Sequence, residues 1–140
     1  MKEKILVSAC LLGVDCKYSG SNNYNQKVID YLKDKEVIPI CPEIMGGLAT
    51  PRQPAEIINT KVICKNGIDV TKEYNKGAEQ VLKIAKLLNV NKAILKSKSP
   101  SCGKGSVYDG TFSGKLIDGN GITTDLLENN NIIVITELDL

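Results

Sequence analysis

Cysteine is the residue type through which this chain can do chemistry: Cys10, Cys16, Cys41, Cys64 and Cys102 stand among 140 residues that include no His. Without an imidazole, Ser-His-Asp and Cys-His catalysis are excluded, and so is any His-bearing zinc site. A metal must be held by thiolates, carboxylates, backbone or water. No pair is spaced as C-x-x-C, which counts against a zinc ribbon, a thioredoxin-like dithiol and the ferredoxin cluster run. Cys10 and Cys16, the closest pair, are too far apart for those motifs. No signal-peptide core follows Met1 and no stretch is long enough to span a membrane, so the chain is expected to be cytoplasmic. In that reducing compartment an odd cysteine count reads as metal, cluster or reactive thiol rather than as a disulfide framework.

Groups for proton chemistry stand near three of the thiols. Glu43, two residues past Cys41, is the sole carboxylate between Cys41 and Thr50, and a partly dry pocket would suit it to general acid-base work. The alternative is a solvated loop acid. Ser99 and Ser101 flank Pro100 beside Cys102; they either donate to a substrate oxygen or only stabilise a turn. Arg52, between Pro51 and Gln53, is an anion binder or an ordinary surface arginine with equal weight.

Something must bring these distant residues together. Lys4 to Ala9 reads as a buried strand ending at Cys10, Glu36 to Ile40 as a second ending at Cys41, and Ala93 to Ser97 as a third leading to Ser99-Pro100-Ser101-Cys102-Gly103. Pro39 assigns the second strand to an edge or an early stop. A helix carrying Val28, Ile29 and Leu32, and a longer one from Thr71 as cap to Asn89, separate these strands. A short helix opening at Thr123 and a fourth strand over Ile132 to Ile135 follow. Residues 42 to 54 hold enough Pro and Gly to forbid regular structure. Glu56 to Ile58, Lys61 to Cys64 and Ile68 to Val70 read as small antiparallel strands with Asn66-Gly67 as a tight turn, and the glycine-rich stretch before Gly121 has room for a hairpin.

Strands alternating with helices imply right-handed crossovers, hence an α/β fold: one domain over 1–140, a small doubly wound, Rossmann-like parallel sheet of about four strands with a hairpin insertion. The ligand site of such a sheet lies outside the carboxyl ends of its strands. Cys10, Cys41 and Cys102 are expected there, able to meet around a metal. Cys16 is a fourth ligand, a reactive thiol or a packing residue. Cys64, in the hairpin, is expected to be structural. Three thiolates would leave an iron–sulfur cluster with one open iron, whereas four would close it. A formal net charge of +2, with no Trp and one Phe, favours a small soluble ligand over a membrane or nucleic acid.

The motifs Ser8-Ala9-Cys10-Leu11-Leu12-Gly13 with Cys16-Lys17-Tyr18-Ser19-Gly20, Cys41-Pro42-Glu43 with Gly46-Gly47-Leu48, Pro51-Arg52 and Pro54-Ala55-Glu56, and Ser99-Pro100-Ser101-Cys102-Gly103 together resemble the thiouracil desulfidase family, from the first strand to the last. Lys17 stands where arginine is frequent and Ser19 where aspartate is. The resemblance implies a hydrolytic, non-redox removal of sulfur from a thiolated pyrimidine, as free base, nucleotide or part of tRNA. It implies a 4Fe-4S cluster on Cys10, Cys41 and Cys102 whose fourth iron takes the substrate sulfur. By the same resemblance Glu43 activates water or shuttles a proton and Ser101 assists at the thiocarbonyl carbon. The competing expectation is a non-catalytic module: Cys10, Cys16, Cys41 and Cys102 closed around Zn or an Fe-S cluster, or a persulfide-based sulfur carrier, which the absence of a C-x-x-C pair disfavours.

Overall fold

The computed structural model describes residues 2–140. Four parallel strands, β1 (Lys4–Ser8), β2 (Glu36–Ile40), β5 (Lys92–Leu95) and β8 (Ile133–Thr136), lie in the order β2-β1-β5-β8. The two central strands are buried on both faces, which is why Ile5-Leu6-Val7 and Ala93-Ile94-Leu95 are unbroken apolar runs. Ile5, Val7 and Ile94 face Val28 and Leu32, from α1 (Gln26–Tyr31) and its C-cap. Leu6, Ala93 and Leu95 pack instead with Val81 and Ala85 of α3 (Thr71–Leu88) and Leu127 of α4 (Ile122–Asn129). Pro39 sits on β2, an edge strand, where its missing N–H breaks no ladder. No helix among the described residues is long and apolar enough to cross a membrane.

Chain order reverses between β1 and β5: the first connection runs outward to β2, while β5 continues to β8 on the other side. This is the switch point at which open α/β sheets place their crevice. Two antiparallel hairpins overhang it, β3 (Ala55–Ile58) with β4 (Lys61–Cys64), and β6 (Ser106–Tyr108) with β7 (Leu116–Asp118). The third arm expected at Ile68 to Val70 reduces to a single bridge, Ile63 to Asp69.

Two local expectations are corrected. Residues 42 to 54 are not wholly irregular, because Pro42–Met45 forms one helical turn, α2, with Pro42 at its start and Cys41 as N-cap. Proline tolerates the first helical turn, where its missing N–H costs nothing. Thr71 does not cap α3. It is the first helical residue, its N–H donates to Asp69 Oδ1 at 2.9 Å, and its Oγ1 accepts from the Val62 N–H at 2.8 Å, tying the helix start to β4. Asn89 ends α3 in the left-handed conformation, as expected.

Candidate active site

Each strand end at the switch point delivers a thiol into one cleft of about 510 Å³. Cys10 lies in the 3-10 turn Ala9–Leu12 directly after β1, Cys41 follows β2, and Cys102 sits in the turn after β5. The path of the chain past β1 brings in the fourth: Asn23 N–H donates to Cys10 O at 2.9 Å and Asn25 N–H to Leu11 O at 3.1 Å, folding 13–25 into a loop that returns Cys16 to the rim. Cys64 lies elsewhere, packed with Val62, Val70 and Tyr74 under the first hairpin, as the sequence led us to expect.

The thiols are not equivalent. Cys16 lies beside Cys10 and Cys41, whose Sγ is 3.8 Å from Cys16 O, and interaction with these two thiols, together with burial, raises its pKa above the ordinary thiol value. The hydrogen bond from Cys16 lowers Cys10 to about 7, against the opposing effect of burial, and Asn23 Nδ2 assists at 3.4 Å from Cys10 Sγ. Cys41 is lowered for the same first reason. Burial pushes Cys102 up to about 12, although Ser8 Oγ at 3.6 Å and Ser101 Oγ at 3.3 Å work against it. Two of the strand-end cysteines are therefore more acidic than an ordinary thiol and the third less so, and metal coordination would deprotonate any of them.

Glu43 is no solvated loop acid. Its side chain is 16% exposed and Arg52 Nη2 pairs with Oε2 at 3.1 Å. Arg52, 9% exposed, is neither an idle surface residue nor a free anion binder. Its guanidinium also reaches Cys16 O at 2.9 Å and Thr50 Oγ1 at 3.0 Å, so one side chain clamps the Cys16 loop, the 49–52 segment and Glu43. Ser101 is buried, donates to Glu43 Oε1, and is backed by Ser99 Oγ at 3.4 Å. It reaches the cleft through Glu43 rather than lining it. Ser99 Oγ accepts from the Cys102 N–H at 2.8 Å, so the turn and the relay are one structure.

Lys96 was not singled out from sequence. It lines the cleft, its charge lowers Cys10, and Glu137 holds it at 2.8 Å from the far end of the chain. The same Glu137 carboxylate accepts from Ser97 N–H and Oγ, both at 2.8 Å. A separation of about forty residues leaves no sequence signal for that pair. Ser8 and Glu56, from two of the quoted motifs, also line the cleft, as do Asn23 and Phe112, which carry no local signature.

A doubly wound α/β domain with thiols, a clamped carboxylate and fixed cations converging at its switch point has the donor set of a thiolate-ligated metal enzyme. The family described as 2-thiouracil desulfurase matches residues 5–139, and the chain belongs to that family. It is 44% identical over 146 residues to the uncharacterized protein YbbK of Bacillus subtilis (strain 168), covering 97% of each. It is also similar to the solved structure of the [4Fe-4S]-dependent thiouracil desulfidase TudS, with a TM-score of 0.93 and 42% identity over 99% of this chain and 93% of that one.

The residues suit an iron–sulfur cluster. The donors are soft thiolates with no His, the walls are largely buried, and Lys96 and Arg52 offset negative charge. Among the described residues, no three ligand-type side chains close on a point that one ion could fill. An iron–sulfur cluster would not need that, since the thiols that would hold it could stand further apart than the ligands of one ion.

Proposed function

We propose that this chain is a 4Fe-4S-dependent desulfidase that hydrolyses the carbon–sulfur bond of a small thiolated pyrimidine, with Cys10, Cys41 and Cys102 as the cluster ligands. The observation that carries the reading is the convergence of three strand-end thiols with a carboxylate that Arg52 and Ser101 hold from two sides. In the net reaction the oxygen of water replaces sulfur on the ring carbon and the sulfur leaves as hydrogen sulfide. No electrons are exchanged.

When bound, the cluster supplies a thiophilic Lewis acid for the substrate sulfur. The chain's own residues supply the rest. Glu43 takes a proton from the attacking water and can hand it to the leaving sulfur. Arg52 stops the carboxylate from swinging away, and Ser101 orients its other oxygen. A cleft of about 510 Å³ suits a small molecule. The test is anaerobic reconstitution followed by iron and acid-labile sulfide counts and by sulfide release from 2-thiouracil. A coloured protein with four irons that releases sulfide supports the reading, and a colourless zinc protein overturns it.

A further inference from the structure

The Pro54-Ala55-Glu56 motif and the chain's single Phe have no part in the chemistry above, yet the structure joins them. Phe112, half-buried on the cleft wall, has a φ of +55°, in the left-handed region that a bulky side chain rarely enters. Two glycines of the same loop, Gly110 and Gly114, also have positive φ and accept it without cost. The strained position carries a benzyl side chain all the same. An observed backbone outlier is a reason to look for function.

Glu56 enforces it. From β3, its Oε1 accepts the N–H of Gly110 at 2.9 Å and that of Phe112 at 3.1 Å. Gly110 lies so close to β3 that a Cβ there would meet Ile58 Cγ1 at 2.8 Å. One carboxylate oxygen and one glycine contact thus dock the tip of the second hairpin onto the first and fix where the Phe112 ring stands. The other aromatic cleft residues are Tyr74, packed into the hairpin core, Tyr18, 46% exposed, and Tyr108, half-buried on β6, and none of them is held in the left-handed region as Phe112 is.

Resting on the desulfidase reading above, we propose that Phe112 is the surface on which the thiolated pyrimidine ring stacks, and that Glu56 is the positioning residue that presents it. A six-membered heteroaromatic ring has a π-face whatever its substituents, so stacking holds the ring without discriminating where the sulfur is attached.

The experiment uses cluster-loaded protein and the kinetics of sulfide release from 2-thiouracil. Loss of a stacking ring is worth roughly 5- to 150-fold in binding. Phe112→Ala should raise KM by about tenfold, with kcat falling less than KM rises and iron content unchanged. Phe112→Gly should raise KM in the same way without lowering Tm, because glycine relieves the left-handed strain; a purely structural Phe112 would instead lower Tm. Phe112→Tyr restores the ring and recovers most of the KM. Glu56→Ala should reproduce the KM effect, and Glu56→Gln, which keeps an acceptor oxygen, should largely reverse it. Wild-type KM in Phe112→Ala and Phe112→Gly refutes the stacking role while leaving the desulfidase reading intact. A wild-type holoprotein that releases no sulfide from 2-thiouracil removes both.

Discussion

A glycine with no side chain, on the helix behind the site, is expected to control the chemistry. Gly77 lies inside α3, and helix propensity alone says that Gly77→Ala gains about 1 kcal/mol. The packing of α2 on α3 says the opposite. A Cβ at Gly77 would stand 1.9 Å from Pro42 O, and one at Gly46 would stand 2.0 Å from Glu73 O, so the two backbones touch where both residues are glycine. Restoring an ordinary carbon–oxygen contact of about 3.3 Å pushes Pro42 away by about 1.4 Å. Pro42 lies between Cys41 and Glu43, so both functional side chains move with it. Overpacking costs about 1–3 kcal/mol, which cancels or exceeds the propensity gain, and a misplacement of about 1 Å costs about 10²-fold in rate. Gly77→Ala should therefore lower kcat/KM for sulfide release by about two orders of magnitude, normalised to iron content, with Tm unchanged or reduced. A Tm raised by the few degrees that propensity predicts, with kcat/KM within about threefold of wild type, would refute the reasoning.

Cys10→Ala, Cys41→Ala and Cys102→Ala should each reduce iron and sulfide to background after reconstitution, while Cys64→Ala keeps both; a full cluster in any of the first three removes that residue from the ligand set. Glu43→Gln should retain the cluster and lose about 10²–10⁴-fold in turnover, the ordinary worth of general acid-base assistance, and wild-type turnover there ends its assignment. In the apo protein, alkylation of Cys10 should rise through a midpoint near pH 7, because the thiolate is the nucleophile and its pKa is held at about 7. Cys16→Ala removes the largest cause of that shift and should move the midpoint upward, as mass-resolved labelling between pH 6 and 9 would show.

The strand-end placement of the cysteines was legible because it depends on short-range patterns: apolar runs, helical spacing between them and one glycine or proline at each stop. Topology then needs only the handedness of crossovers to bring Cys10, Cys41 and Cys102 to one edge. The helical turn at Pro42–Met45 was hidden because proline and glycine read as breakers, although proline at a first turn starts a helix as readily as it stops one. Arg52 could not be assigned in advance because its role depends on Cys16 and Glu43 folding back to it. The Glu56 clamp and the Lys96–Glu137 pair join residues far apart in sequence with no periodicity between them. Such contacts are properties of the finished fold, and they are where the site gains its rigidity.

Cys16 shows how these levels combine. A fourth thiol at the rim suggests four ligands, and four would close the cluster to substrate. Its surroundings give it a further task. Without a cluster its thiol lowers the pKa of Cys10 and of Cys41 while its own is raised. Its carbonyl accepts from Arg52, whose same Nη2 pairs with Glu43. The residue that lowers Cys10 and Cys41 is thereby anchored to the side chain that holds the proposed base. The acidity of two neighbouring thiols and the fixing of a carboxylate beside them thus depend on one loop.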